Sequence, residues 1–292
     1  MLEKIKDNYL LILLCLYLLF CLITGVYTYK VNNDEWFKDD LETYEKCKTN
    51  NTDEVLCNRY IEPPKQRDTL STLGYITITD SRISFLQTLA PLLIMITATY
   101  NFHKKLKKGY FKNSIIRIGY KSSFKKLYID SLKYSLILPI FLFIIFLCSY
   151  FISGNFDYKY GSSFYMFDAY GVANCKNVII FLILYLSNFI LHSIFWINIA
   201  IYNCKHNKNF IVCIIFSYIE YLLLFVFTDM FFAGTLFANT ELAGYFSFTN
   251  IWTFSELNIY GVFISSLVLA ILSTIIICFE YKNKENVIEE IS

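Results

Sequence analysis

Three histidines, His103, His192 and His206, are all the imidazole this chain has, and none sits in an HExxH motif. Its nine cysteines form no CxxC and no Cys/His zinc spacing. Neither a zinc hydrolase nor a structural zinc domain finds its ligand set here. The ten glycines stand singly and no G-x-x-x-x-G-K-[ST] run occurs, so the chain holds no phosphate loop of its own. Proline is scarce at four residues, two of them paired as Pro63-Pro64. Charged residues reach only 17%, against 56% hydrophobic and 19% aromatic. A chain of 292 residues so poor in charge is not an ordinary soluble domain.

What it has in place of charge is apolar length. The hydrophobic residues come in blocks of about 20, the number an α-helix needs to cross a hydrocarbon core. The reading is an all-α polytopic membrane protein with six transmembrane helices, at about 9–29, 83–101, 131–153, 177–202, 210–232 and 259–281. The first block lacks a short core followed by a small-residue cleavage site, so it reads as a retained anchor. Pro91 inside the second predicts a kink, because proline removes a helical hydrogen bond. Lysine and arginine set the orientation: sixteen of 26 fall in segments that are inside if both termini are cytoplasmic. The protein is therefore expected in a cell membrane, multi-pass, of bacterial plasma-membrane type.

Residues 30–82 form one extracytoplasmic loop of about 50 residues, with eleven acids against eight bases. Asp34, Glu35, Asp39, Asp40, Glu42 and Glu45 read as a solvated helix face, and Thr69–Thr79 is apolar enough to pack on the membrane surface. Cys47 and Cys57 share this loop ten positions apart. That spacing admits a disulfide in an oxidising space, and equally two free thiols. Residues 233–258 carry two acids, no base and many aromatics, too polar to cross and too apolar to be a free loop.

The most patterned stretch is Asn101–Lys133, ten Lys or Arg from Lys104 to Lys133 against the single acid Asp130. Its charge suits the inner side, and its apolar residues recur at helical spacing. Phe111, Ile115 and Ile118 fall at i, i+4 and i+7, on one side of a short helix that Gly109 starts and Gly119 ends with left-handed geometry. Lys112, Asn113 and Arg117 project elsewhere. Ser122 or Ser123 is the expected cap of the following helix, which carries Phe124, Leu127 and Tyr128 into the third span. Two uses fit such a segment: a lipid-facing helix held by anionic headgroups, and a docking element for a cytoplasmic partner. Nucleic acid is not among them, since the charge follows from topology and no aromatic platform accompanies it.

Inside the membrane blocks, ionisable and amide side chains are the exceptions to explain. Glu220 lies near the centre of the fifth span. Asn188 and His192, at i and i+4, share a face of the fourth, with His192 expected opposite Glu220 at one depth. A polar contact between helices and the lining of a substrate path are both consistent with this trio. Asp229, near an outer helix end, reads as solvated.

The order of these features resembles the permease subunit of an ABC transporter of the ABC-2 exporter type. The resemblance is carried by Gly109-Tyr110-Phe111-Lys112-Asn113, by Arg117-Ile118-Gly119-Tyr120-Lys121 and by the position of 233–258. It implies that 102–130 is a cytoplasmic coupling region. There Gly109, Tyr110, Lys112, Asn113, Arg117, Gly119 and Tyr120 would dock a separate ATP-binding subunit. It implies that 233–258 is a re-entrant outer segment, that a second permease copy or paralogue completes a dimer, and that ATP and Mg bind only in the partner. This chain would then hold no cofactor and would not be an enzyme. The cargo expected for such an exporter is a peptide, a lipid-like molecule or an antimicrobial compound. The alternative class is a non-transporting membrane sensor or immunity protein whose outer loop binds a peptide.

Overall fold

The computed structural model describes residues 9–49, 69, 72, 73, 76, 81–107, 110–153, 178–236 and 259–283. Among them there is no strand. The helices are α1 (Tyr9–Thr49), α2 (Ser81–Lys107), α3 (Tyr110–Ile118), α4 (Tyr120–Leu132), α5 (Ile137–Ser153), α6 (Val178–His206), α7 (Phe210–Val226) and α8 (Ile259–Glu280). A 3-10 turn over Lys133–Leu136 joins α4 to α5, and a π-helix over Phe227–Leu236 extends α7.

Among the described residues, five stretches are long and apolar enough to cross a membrane: α1, Tyr120–Ile152, Ile179–His206, Phe210–Leu236 and Tyr260–Glu280. The second expected crossing, 83–101, lies inside α2, which is helical for 27 residues and runs on through Pro91.

α1 does not stop where its apolar block stops. It continues for 41 residues, because nothing between Tyr29 and Thr49 breaks a helix: no proline, no glycine. Asp34, Glu35, Asp39, Asp40, Glu42 and Glu45 are solvent-accessible on this extension. At 1.5 Å per residue the helix is about 60 Å long, roughly twice a hydrocarbon core. Near its midpoint the hydroxyls of Tyr29 and Thr72 meet at 2.8 Å. Thr69, Thr72, Leu73 and Ile76 are fully buried in the protein. The described residues of 69–79 therefore pack on protein and not on the membrane surface, where the sequence alone had put them.

α6 is the hub. It packs against α2, α5, α7 and α8 and is buried on nearly every side, from Phe181 to Lys205. α2 meets the bundle through Ala90, Ile94, Ala98, Phe102 and Leu106, a strict i, i+4 row of buried residues. α8 presents Val262, Ser266, Ala270, Ser273 and Ile277, and the small residues in that row let two backbones come close. α7 contributes Cys213, Ile214, Ser217 and Tyr221. Its opposite side, including Ile215, Phe216, Ile219 and Leu223, is open.

The start of α1, the end of α2, the α6–α7 turn and the end of α8 all meet at one end of this bundle. Tyr9 stacks edge-on to Tyr100 with ring centres 5.9 Å apart, and Tyr100 to Phe210 at 5.4 Å. The His103 ring hydrogen-bonds the Asn207 carbonyl at 3.2 Å, and Lys107 Nζ donates to the Lys205 carbonyl at 3.0 Å. These are the segments that the lysine count puts on one side of the membrane.

Candidate functional site

Two arrangements of side chains are organised beyond what packing needs: a surface helix latched to this end of the bundle, and a series of polar contacts along α6 and α8.

The latch begins at α3. Phe111 is fully buried and Ile115 packs against the core, but Ile118 is half exposed and Ile116 is 83% exposed. The expected stripe is thus buried only at its N-terminal half. Tyr110, Lys112, Asn113 and Arg117 are exposed, and Lys105 Nζ lies 5.7 Å above the Tyr110 ring. Gly109 lies outside the described residues. Gly119 ends α3, its amide bonded to the Ile115 carbonyl at 2.9 Å. Its φ of 79° and ψ of 161° are not the left-handed helical conformation expected, but an extended mirror region that only glycine occupies readily.

Gly119 is also the N-cap of α4, which starts at Tyr120 and has no side-chain cap. Ser123 does not cap the helix as expected. Its hydroxyl donates to the Gly119 carbonyl at 2.8 Å and meets Ser114 at 2.9 Å, tying the two helices together.

Tyr120 turns inward. Its hydroxyl donates to the Tyr281 carbonyl at 2.7 Å, at the end of α8, and its ring packs edge-on to Phe111 at 5.8 Å. Phe124 stacks on the Tyr281 ring at 4.6 Å, and Phe102 packs on its edge at 6.2 Å. The Tyr281 hydroxyl then donates to the Ile201 carbonyl of α6 at 2.9 Å. A contiguous path of aromatic and hydrogen-bond contacts therefore runs from α3 through Tyr120 and Tyr281 into the central helix.

Beside it, Lys205 is only 4% exposed and is held by Glu280 Oε1 at 2.7 Å, with His206 Nε2 at 3.2 Å from the same oxygen. A charge buried that deeply needs a partner. Cys204 and Cys213, both buried, bring their sulfurs to 3.1 Å across the α6–α7 turn as thiols.

Further along, the contacts become neutral. Asn198 is fully engaged: its Nδ2 donates to Ser273 at 2.9 Å and Thr274 at 3.1 Å, and its Oδ1 accepts from Tyr128 at 2.9 Å. One side chain thereby joins α4, α6 and α8. Nearer the other end, Asn188 and His192 converge on Ser266 of α8. His192 Nε2 lies 2.9 Å from that hydroxyl, which also donates to Asn188 Oδ1. The expected pairing of Asn188 with His192 on one face is therefore present, with a serine as the third member. Not every group there is satisfied: Asn188 Nδ2, Ser193 Oγ and Trp196 Nε1 are buried without a hydrogen-bond partner among the described residues.

Glu220 does not face His192. Asn203 Nδ2 donates to its carboxylate at 2.6 Å. The reason is side-chain direction: helical side chains lean toward their own N-terminus. On two antiparallel helices Glu220 leans toward the α6–α7 turn while Asn203 leans away from it, and the two meet. His192 is eleven residues from Asn203, about 16 Å along the axis. Asp229, expected in solvent, is half-buried. Cys47 is disulfide-bonded; the sulfur it bonds lies outside the described residues, as Cys57 does. So do 237–258, nearly all of the expected re-entrant segment.

Compared with known protein families, with curated proteins and with solved structures, the chain matches none. Its chemistry has to be read from these contacts. No group of three His, Cys, Asp or Glu side chains suited to a metal occurs among the described residues.

Sequence reasoning missed Asn198, Ser266 and Tyr281. Their signal was present in weak form, as lone polar groups recurring in α6 and α8 at spacings that put them on facing sides.

Proposed function

We propose that this chain is the membrane-spanning subunit of an ATP-driven exporter, with six crossings and both termini cytoplasmic, and that α3 receives a separate ATP-binding subunit. The observation that carries this reading is the latch. Tyr110, Lys112, Asn113, Ile116 and Arg117 are exposed on a nine-residue surface helix. That helix is coupled through Tyr120 and Tyr281 to the backbone of the central helix. A displacement of α3 would act on α8 and α6 directly, as a coupling element must. The polar contacts of Asn188, His192 and Ser266, with their unfilled donors, suit the wall of a path for a polar cargo. The open side of α7 suits a second permease copy. ATP and Mg would bind in the partner, so this subunit performs no chemistry itself.

The roles of the coupling residues separate. Arg117, Lys112 and Asn113 make the docking contact; Tyr120 transmits it. The test is co-purification of the full-length protein from its native membrane, followed by identification of bound subunits. A stoichiometric phosphate-loop ATPase that is lost in Ile116→Ser/Arg117→Ala, with the variant still folded, is the expected result. A protein that purifies alone, or an ATPase retained by that variant, overturns the proposal.

One observation favours the second reading, a sensor or immunity protein. The acidic half of α1 is an exposed helical arm that ends at the disulfide-bonded Cys47, a fit to a cationic peptide. Peptide binding by a protein that recruits no ATPase would select it.

A further inference from the structure

A cavity of about 370 Å³ opens where α1, α2 and α4 meet the 3-10 turn, at the same end of the bundle as the latch. We propose that it holds the phosphate headgroup of an anionic glycerophospholipid. This goes beyond the transport reading and does not rest on it; it requires only that the chain spans a membrane.

The lining divides by chemistry. Lys105 and Lys133 flank Asp130, at 4.0 Å and 2.7 Å, and Tyr134 adds a phenol. The two ammonium groups exceed the one carboxylate, so a phosphate entering the cavity meets a net positive charge. All three charged side chains stay reachable, at 38% exposure for Lys105 and Asp130 and 67% for Lys133. Asn101 and Ser131 add neutral polar groups, and the rest of the wall is apolar, with Leu11 from α1 and Ile137 from α5.

The surroundings distinguish a lipid from a free anion. Just past the charged rim the surface turns apolar and exposed, with Ile12 and Leu13 on one side and Leu136 and Ile140 on the other. The 3-10 turn marks that change: Lys133 is its first residue and Leu136 its last. A ligand anchored by phosphate at the lysines thus has hydrocarbon contacts waiting one turn away. Basic pockets between spanning helices at the cytoplasmic face are suited to such headgroups. Asp130 sets the selectivity, since it neutralises one of the two lysines until a phosphate takes its place.

Native mass spectrometry of the full-length protein in neutral detergent tests this, with dioleoyl-phosphatidylglycerol, dioleoyl-phosphatidylcholine and inorganic phosphate as separate probes. Phosphatidylglycerol is expected to be retained in preference to phosphatidylcholine, and inorganic phosphate not at all. Lys105→Gln/Lys133→Gln should weaken phosphatidylglycerol retention roughly thirty-fold, the effect of two interfacial charges. Asp130→Asn should strengthen it, which keeps the test decisive should the double variant fold poorly. Lys121→Gln/Lys125→Gln, outside the cavity, should change nothing. Undiminished retention by a folded double variant overturns the proposal, as does weaker retention by Asp130→Asn. Displacement of the lipid by millimolar inorganic phosphate would instead identify a free-anion site and overturn it equally.

Discussion

Asn188 and Asn198 stand on the same buried helix, ten residues apart, and the structure assigns them different energetic weights. Asn198 makes three hydrogen bonds, to Ser273, to Thr274 and from Tyr128. Interhelical hydrogen bonds inside membranes contribute about 0.6 kcal/mol each on average. Asn198→Leu, which keeps the branched outline and removes every polar atom, should therefore destabilise the bundle by about 2 kcal/mol. Some relief comes from Ser273 and Thr274, which also bond the Ala270 carbonyl. Tyr128 has only a 3.4 Å contact to Thr274 to fall back on. Asn188 accepts one bond from Ser266 but buries an unpaired Nδ2, and an unmet donor costs about as much as a made bond returns. Ser266 keeps the Val262 carbonyl and His192 as partners. Asn188→Leu should accordingly fall within about 0.5 kcal/mol of the parent. Equilibrium unfolding in mixed micelles, followed by helicity and tryptophan fluorescence, separates the two. Equal losses in both variants, or no loss in Asn198→Leu, would refute the reasoning.

Three further perturbations act at the latched end. His103 lies just past the apolar part of α2, and burial holds its imidazole below the usual range, so the unfolded chain binds the proton more tightly. Stability should be full above about pH 6.5 and fall as the pH drops below it; His103→Gln should remove that slope in a pH series of thermal melts. Gly119→Ala should cost about 1–3 kcal/mol from backbone strain alone, because nothing lies within 4 Å of an added Cβ. Gly119→Asn should cost as much, since ψ is 161°, and a wild-type melting temperature for either would contradict the conformation. Glu280→Ala takes the carboxylate from the buried Lys205, which keeps the residue-280 carbonyl at 3.2 Å, and should cost on the order of 2 kcal/mol, below the full buried-pair figure because Glu280 is 28% exposed. Lys205→Met, which leaves Glu280 near solvent, should cost clearly less, and the reverse order in denaturant titrations would show that the charge is not buried.

Much of this is legible in the sequence. Apolar block length marks the five candidate spans because a hydrocarbon core allows little else, and Gly119 marks the break between α3 and α4 because its neighbours on both sides are helix formers. The extent of α1 was less visible, since the eye takes a change from apolar to acidic as a boundary when only a breaker ends a helix. The pairing of Glu220 failed for a geometric reason. Depth was counted at Cα, but a glutamate in a helix delivers its carboxylate toward its N-terminus, which moved its partner from His192 to Asn203. The cap expected from Ser122 or Ser123 failed because Gly119 already supplied the conformation a cap residue needs. The polar contacts between α6 and α8 were least readable, since they depend on the register of two helices more than 70 residues apart in sequence.

That register bears on how the latch and the polar contacts relate. Both run along the same two helices: Glu280 and Tyr281 hold the end of α8 to Lys205 and Ile201, while Ser273 and Ser266 meet Asn198, Asn188 and His192 farther along. Neutral side-chain bonds inside a membrane are individually weak, so α8 can shift along α6 at modest cost there. The end contacts are different in kind, with a buried ammonium and a backbone carbonyl at either side. A push on α3 therefore reaches α8 where it is held most firmly to α6. The helix would yield where its contacts are weakest, around Ser266, which is also where unfilled donors wait on α6. Rigid at the latched end and compliant at the buried polar groups is the distribution that the proposed docking at α3 would require.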